Sequence, residues 1–98
     1  MNYNYWDLKI NAEGHLVFDE CDLADVTKKY GTPLHVVSKN KLVADCKRFV
    51  TAFKQQYDEV EVFYSYKTNN VRGILQVLHR QGLGAEVISG FELWLALK

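Results

Sequence analysis

The sequence has no excess of charge of either sign, because 12 Lys and Arg residues balance 12 Asp and Glu residues. A chain without net charge lacks the usual attraction to nucleic acid or to an anionic membrane surface, so neither is expected as a partner. No apolar run approaches the roughly 20 residues that a membrane-spanning helix needs. Met1 to Ile10 lacks the basic and then apolar stretch of a signal peptide, so no signal peptide is expected.

Cysteine is scarce, and the histidines are scattered. Cys21 and Cys46 are the only cysteines; they form no Cys-x-x-Cys pair and have no metal-site spacing. We predict that both are reduced thiols and that the protein is cytoplasmic. His15, His35 and His79 are isolated in the sequence and have no metal-ligand spacing. The sequence therefore predicts no metal site.

The residues up to 40 predict short strands and one helix. Strands are expected where apolar or β-branched residues cluster between turn-forming ones, at 8–10, 15–18 and, after Pro33, at 34–37. Asp22 is placed to cap a helix over residues 23–30, and Gly31 is placed to end it. Ser38 or Asn40 can cap the helix that follows.

From residue 41 onward, predicted helices and strands alternate. Helices are expected at 41–57, at 71–80 and from 90 onward, and strands at 59–66 and 84–88. Asn69 or Asn70 can cap the second of these helices, and Gly82 can end it. Ser89 and Glu92 form a capping-box pattern at the start of the third. This alternation favours an α/β fold with a parallel sheet.

The last residues of the sequence indicate whether the chain is a whole protein or a fragment. It stops at Lys98 within an apolar helical run, 91–97, that no Gly, Asn or Pro ends. Two strands also cannot form a stable α/β layer alone. We therefore expect the chain to be a fragment of a longer protein, with a short native C-terminal helix as the alternative.

Lys67 follows the predicted strand 59–66, at the end where parallel α/β folds build their sites. A lysine at such a position is most often a solvated loop residue. A lysine held among aromatic groups, here Phe63, Tyr64 and Tyr66, loses hydration and can become a nucleophile for Schiff-base formation. Alternation predicts two strand faces, with Glu61, Phe63, Ser65 and Lys67 on one and Val60, Val62, Tyr64 and Tyr66 on the one that packs on helices.

Three motifs follow one another in the sequence. Residues 64–69, Tyr-Ser-Tyr-Lys-Thr-Asn, resemble the cofactor-lysine motif Tyr-Ala-x-Lys-Ala-Asn of the fold type III pyridoxal-phosphate enzymes. Residues 82–93 resemble the Gly-x-Gly-x-Asp-Val-x-Ser-x-Gly-Glu-Leu stretch of the diaminopimelate decarboxylases, with Glu86 for Asp and Phe91 for Gly. Residues 30–36 resemble Tyr-Gly-Thr-Pro-Leu-Tyr-Val of the same enzymes. From residue 30 onward the chain is thus similar to the amino-acid decarboxylases of this family.

The resemblance implies a two-domain protein. Residues 40–98 would be the incomplete N-terminal part of a (β/α)8 barrel of the TIM type, its first two βα units; such a barrel usually has about 250 residues. Residues 1–39 would contribute to a β domain. The resemblance also implies a homodimer in which the partner subunit donates a Cys-Asp element to the site. That element and the phosphate-binding loop are absent from the 98 residues, so the chain alone is expected to be inactive.

The resemblance further implies pyridoxal phosphate as cofactor, held as a Schiff base on Lys67, and an amino-acid carboxy-lyase activity. Glu86 is the candidate for modulating the charge on Lys67, with simple pairing to a basic neighbour as the alternative. Diaminopimelate is the favoured substrate, which places the complete enzyme in lysine biosynthesis; ornithine, arginine and carboxynorspermidine stay open. The alternative hypothesis is a non-catalytic pyridoxal-phosphate-binding or regulatory relative, because a shared fold does not settle function.

Overall fold

A computed structural model of the chain describes residues 6–98. Predictions that fall on residues 1–5, at the start of the segment 1–39 and of the stretch searched for a signal peptide, lie outside this range. The fold is mixed α/β, as predicted, and divides into two compact units, one ending at Asn40 and the other covering Lys41–Lys98. None of the described helices combines the length and the apolar character needed to cross a membrane.

The first unit contains an antiparallel sheet and a helix. Its elements are β1 (Lys9–Ile10), β2 (Leu16–Phe18), β3 (Cys21–Asp22) and α1 (Leu23–Tyr30). The sequence did not predict β3, which pairs with β2 across a two-residue turn. Asp19 and Glu20 in this turn both have positive φ, 50° and 64°. Such a turn joins antiparallel strands tightly but normally carries Asn-Gly or Asp-Gly, and for that reason the pattern was not apparent.

The predicted bounds of α1 are confirmed, and so are its caps. The Asp22 carboxylate accepts hydrogen bonds from the backbone N–H groups of Ala24, at 2.8 Å, and Asp25, at 3.4 Å. At the other end, Gly31 has a φ of 84° and donates its N–H to the carbonyl of Thr27 at 2.8 Å. Both caps satisfy backbone groups that a helix terminus leaves unpaired.

The strand predicted at 34–37 is wrong. These residues form no regular secondary structure, and Leu34, Val36 and Val37 are exposed. β-branched residues favour an extended backbone, but a strand exists only where another strand completes its hydrogen bonds. Within residues 6–98 no strand pairs with this segment.

Residues at the start of the next helix are hydrogen-bonded to the β2–β3 turn. α2 covers Lys39–Lys54, and the Asp19 carboxylate accepts hydrogen bonds from the Ser38 hydroxyl and the Asn40 side-chain amide, both at 2.8 Å. It also lies 3.5 Å from the Asn40 backbone N–H. Ser38, one of the two predicted caps, thus donates to Asp19. These bonds, that of Ser38 first, hold the pKa of Asp19 below its usual range.

The second unit continues with alternating strands and helices: β4 (Phe63–Ser65), α3 (Arg72–Arg80), β5 (Gly84–Glu86) and α4 (Gly90–Ala96). The predicted order and the parallel pairing are confirmed, with Phe63 opposite Gly84 and Ser65 opposite Glu86. Both strands are shorter than the predicted 59–66 and 84–88. The apolar pattern continues beyond the pairing, but the observed strands extend only about as far as they pair with each other.

The core of the second unit lies on the helix side of this strand pair. Four of its apolar residues are buried: Cys46 from α2, Tyr66 after β4, and Leu75 and Leu78 from α3. Tyr66, with 1% of its surface exposed, is the most deeply buried large side chain described. Phe63, on the opposite strand face, is 59% exposed. One face of the pair is therefore covered by helices, and the other is largely open in the described chain.

Candidate cofactor-lysine site

Lys67 lies in a turn at the carboxyl end of β4. The Thr68 N–H donates to the carbonyl of Ser65 at 3.1 Å, which closes the turn, and the Tyr66 N–H donates to the carbonyl of Glu86 at 3.0 Å. The predicted strand reached Tyr66, whereas β4 ends at Ser65. Lys67 is therefore positioned by this turn and by the residue before it, and not by continued strand alternation.

The side chain of Lys67 is exposed. Among residues 6–98, no acidic side chain forms an ion pair with its amine. An accessible primary amine at the carboxyl end of a parallel strand is the group that can form a covalent bond with a carbonyl cofactor. The donor chemistry at this position thus fits pyridoxal phosphate, whose aldehyde reacts with an amine.

Glu86, the second predicted site residue, is the last residue of β5 and pairs in register with Ser65. It is exposed, and it is not in ion-pair contact with Lys67 in the described chain. The register nevertheless places both residues at the carboxyl ends of neighbouring strands. An influence of Glu86 on the charge of Lys67 stays a prediction.

The Tyr and Asn of the lysine motif meet behind Lys67. The Tyr64 hydroxyl donates to the backbone carbonyl of Asn69 at 3.3 Å. Burial raises the pKa of the Tyr64 hydroxyl, which keeps it protonated as a donor at neutral pH. The Asn69 side chain accepts the N–H of Val71 at 3.0 Å. Because α3 begins at Arg72, Asn69 supports the turn before the helix and is not the cap that was predicted.

Two residues near the site have partners that the sequence did not indicate. The Tyr66 hydroxyl lies 2.6 Å from Nε2 of His79, and Nδ1 of His79 lies 2.6 Å from the carbonyl oxygen of Leu83. His79, which is isolated in the sequence, therefore has two hydrogen-bond partners in the fold. The only signal in the sequence was that Tyr66 belongs to the helix-facing set and His79 to the following helix.

The predicted capping box before α4 is confirmed with one difference. The Ser89 hydroxyl accepts the N–H of Glu92 at 3.1 Å. The Glu92 carboxylate accepts the N–H of Ile88 at 2.8 Å, one residue earlier than the standard reciprocal bond. Glu92 is 7% exposed, so its carboxylate is a buried structural acceptor.

His15, also isolated in the sequence, has partners in the fold as well. Its Nδ1 lies 2.8 Å from the Asp22 carboxylate, and ligand atoms of Glu13, His15 and Asp22 all lie within 4.8 Å of one another. Asp22 already accepts hydrogen bonds from His15, from the Asn11 amide and from the start of α1. These bonds, that of His15 first, hold the pKa of Asp22 below its usual range. The cluster is therefore a hydrogen-bonded helix cap whose carboxylate is already engaged.

A cavity of about 270 Å³ lies beside the helix side of β4 and is lined mainly by apolar residues, Leu42, Cys46 and Leu78 among them. A smaller one of about 90 Å³ lies beside Tyr66, His79 and Leu95. Lys67 lines neither of them. Residues 6–98 thus present the lysine but do not enclose it.

The structure places an exposed lysine at the carboxyl end of a parallel strand, and comparison with known proteins identifies the family. Residues 39–98 match the family described as pyridoxal-dependent decarboxylase, pyridoxal binding domain, and the chain belongs to this family. The family predicted from the three motifs is thereby confirmed.

The individual relatives share one name, diaminopimelate decarboxylase. The diaminopimelate decarboxylase of Methanothermobacter thermautotrophicus is 31% identical over 91 residues, which is 93% of this chain and 21% of that protein. That of Methanocaldococcus jannaschii is 35% identical over 88 residues. The crystal structure of diaminopimelate decarboxylase from M. jannaschii in co-complex with L-lysine superposes with a TM-score of 0.80 at 34% identity, over 92% of this chain and 21% of that one. The chain thus spans about a fifth of the length of these relatives.

Proposed function

We propose that this chain is the N-terminal portion of a pyridoxal-phosphate-dependent amino-acid decarboxylase that acts on diaminopimelate, with Lys67 as the cofactor lysine. The observation that carries the proposal is the accessible Lys67 amine at the carboxyl end of β4. It lies within the region that matches the pyridoxal-binding domain. The similarity to diaminopimelate decarboxylases favours that substrate over ornithine, arginine or carboxynorspermidine.

The chain supplies the attachment point for this chemistry. When bound, pyridoxal phosphate supplies an electron sink for the negative charge left on the substrate by departing carbon dioxide. Lys67 would hold the cofactor through Nζ and, once the substrate amine takes its place, could hold or release a proton at the same atom. Glu86 would favour the protonated amine, because a nearby carboxylate stabilises the charged form.

The proposal extends to architecture. Residues 40–98 would form the first two βα units of a (β/α)8 barrel, and residues 1–39 would contribute to a β domain. The parallel β4–β5 pair with one open face supports the barrel, and the antiparallel sheet of β1 to β3 supports the second domain. Because residues 6–98 do not enclose Lys67, the chain alone would not catalyse the reaction.

The same resemblance suggests where the complete protein is located and how it assembles. We propose a cytoplasmic enzyme, which the two free cysteines, Cys21 and Cys46, support. We also propose a homodimer, which rests on the family resemblance and accounts for the missing part of the site. Sedimentation of the complete protein would test the dimer, since a monomer at active concentrations would contradict it.

The decisive experiment measures carbon dioxide release by the complete protein with added pyridoxal phosphate. Diaminopimelate, ornithine, arginine and carboxynorspermidine are offered separately, and a Lys67→Ala variant is the matched control. Release from diaminopimelate alone is expected. Release from another of the four would move the proposal to a different substrate. Cofactor binding without any release would instead indicate a non-catalytic pyridoxal-phosphate-binding protein.

A further inference from the structure

The backbone on both sides of Lys67 is fixed, although its side chain is free. On one side, Tyr66 is buried and its N–H donates to the carbonyl of Glu86. On the other, the Thr68 N–H donates to the carbonyl of Ser65. The direction in which Lys67 leaves the backbone therefore depends on how firmly Tyr66 is held.

Tyr66 is held at its far end by His79. The two heavy atoms of this bond, the Tyr66 hydroxyl oxygen and Nε2 of His79, are 2.6 Å apart, and the ring centroids are 5.8 Å apart. Burial raises the pKa of the Tyr66 hydroxyl, so this group keeps its proton at neutral pH. A protonated phenol can donate to a ring nitrogen that carries a lone pair.

The other ring nitrogen fixes which tautomer of His79 is present. A carbonyl oxygen can only accept, so the 2.6 Å contact with Leu83 requires a hydrogen on Nδ1. In the neutral ring, Nε2 is then the acceptor that the Tyr66 hydroxyl needs. The bonds run in one direction, from Tyr66 to His79 and from His79 to Leu83.

Leu83 is itself fixed by the end of α3. The Gly82 N–H donates to the carbonyl of His79 at 2.9 Å, and the Leu83 N–H donates to that of Leu78 at 3.4 Å. Gly82 has a φ of 86°, which completes a Schellman motif. The carbonyl that orients His79 thus belongs to a rigid helix end.

We propose that His79 is a positioning residue for the cofactor lysine: through the buried Tyr66 hydroxyl it sets the direction of Lys67. The proposal rests on the proposed function of Lys67. The proposed role of His79 is indirect, because both nitrogens of its ring are bonded to other residues, Tyr66 and Leu83. Its influence reaches Lys67 through one peptide unit.

Two substitutions separate the two bonds of His79. In His79→Gln, the side-chain oxygen can take the place of Nε2 and accept from Tyr66, while the bond to Leu83 is lost. In His79→Asn, the shorter amide can take the place of Nδ1 and donate to Leu83, while the bond to Tyr66 is lost. Tyr66→Phe removes only the hydroxyl and keeps the buried ring.

The experiment uses the complete protein and measures the dissociation constant for pyridoxal phosphate and the fraction of Lys67 labelled after borohydride reduction at limiting cofactor. A misplacement of about 1 Å at a reacting group can cost on the order of 100-fold. We expect His79→Asn and Tyr66→Phe each to weaken cofactor retention about 10-fold, and the double variant to add nothing more. His79→Gln should stay within about 3-fold of the parent.

Thermal unfolding of the cofactor-free variants distinguishes a loss of positioning from a loss of stability. For this purpose, cofactor retention is compared between variants that unfold at the same temperature. Equal losses in His79→Gln and His79→Asn would overturn the proposal, as would unchanged retention in Tyr66→Phe. If His79→Asn fails to fold, Tyr66→Phe decides the matter alone. A parent protein that is not labelled on Lys67 would instead refute the proposed function, so the two failures are distinguishable.

Discussion

Replacing Lys67 by alanine should separate chemistry from folding. Lys67 is exposed, and within the described part of the chain its amine has no acidic partner. Surface substitutions of this kind usually change the free energy of unfolding by no more than about 0.5 kcal/mol. Losing a positioned proton-transfer group alone costs about 10²–10⁴-fold in rate. We therefore expect Lys67→Ala of the complete protein to unfold like the parent and to lose at least about 100-fold in decarboxylation rate.

Lys67→Arg should fail as well, because a guanidinium keeps its charge and does not form the covalent link under these conditions. The assay combines the visible absorption of bound cofactor, borohydride reduction and peptide mapping. Lys54→Ala is the matched control, since Lys54 is an exposed lysine at the end of α2. Reduced cofactor on Lys54 or Lys98, or full activity in Lys67→Ala, would refute the assignment.

Three further predictions concern stability. In Gly84→Ala, the new Cβ would lie 2.5 Å from the ring of Phe63, so the ring must move, which should lower the free energy of unfolding by about 0.5–1.5 kcal/mol. Denaturant unfolding measures this loss, which should disappear when Phe63→Ala is added. Leu78→Ala should lower the free energy of unfolding by about 2–5 kcal/mol, because Leu78 is 3% exposed, and a smaller loss in the same unfolding assay would mean that the site collapses. Asp22→Asn should make the loss of stability in acid less steep. Folding lowers the pKa of Asp22, so the ionised carboxylate stabilises the fold above its ordinary pKa of 3.8. This stabilisation is lost as the pH falls through the pKa of the folded state. Unchanged acid unfolding of Asp22→Asn would contradict this role.

The elements that the sequence predicted well are those decided locally. Asp22 and Gly31 bound α1, and Gly82 ends α3, because each satisfies backbone groups within a few residues of itself. Ser89 similarly caps α4. Spacing along the sequence is sufficient for such features, since both partners of each bond lie within one turn of helix.

The failures concern partners that are distant in sequence or that the described residues do not provide. The extended segment at 34–37 has the composition of a strand but lacks a neighbour among residues 6–98. The bond between Tyr66 and His79 joins a strand end to a helix 13 residues later, and no spacing rule specifies which helix residue meets which tyrosine. The family was recognised on a different basis, since its motifs came from resemblance and not from physical pattern alone, and the role of Lys67 stays a prediction.

The aromatic residues that were expected to surround Lys67 have other roles in the structure. Tyr66 packs toward His79, and the hydroxyl of Tyr64 is bonded to the backbone of Asn69. Of the three, only Phe63 lies on the open face, where its ring covers Gly84. The two tyrosines therefore hold the turn that carries Lys67 and do not desolvate its amine. The described residues leave the amine of Lys67 exposed, and what they give this residue is a fixed direction at the end of β4.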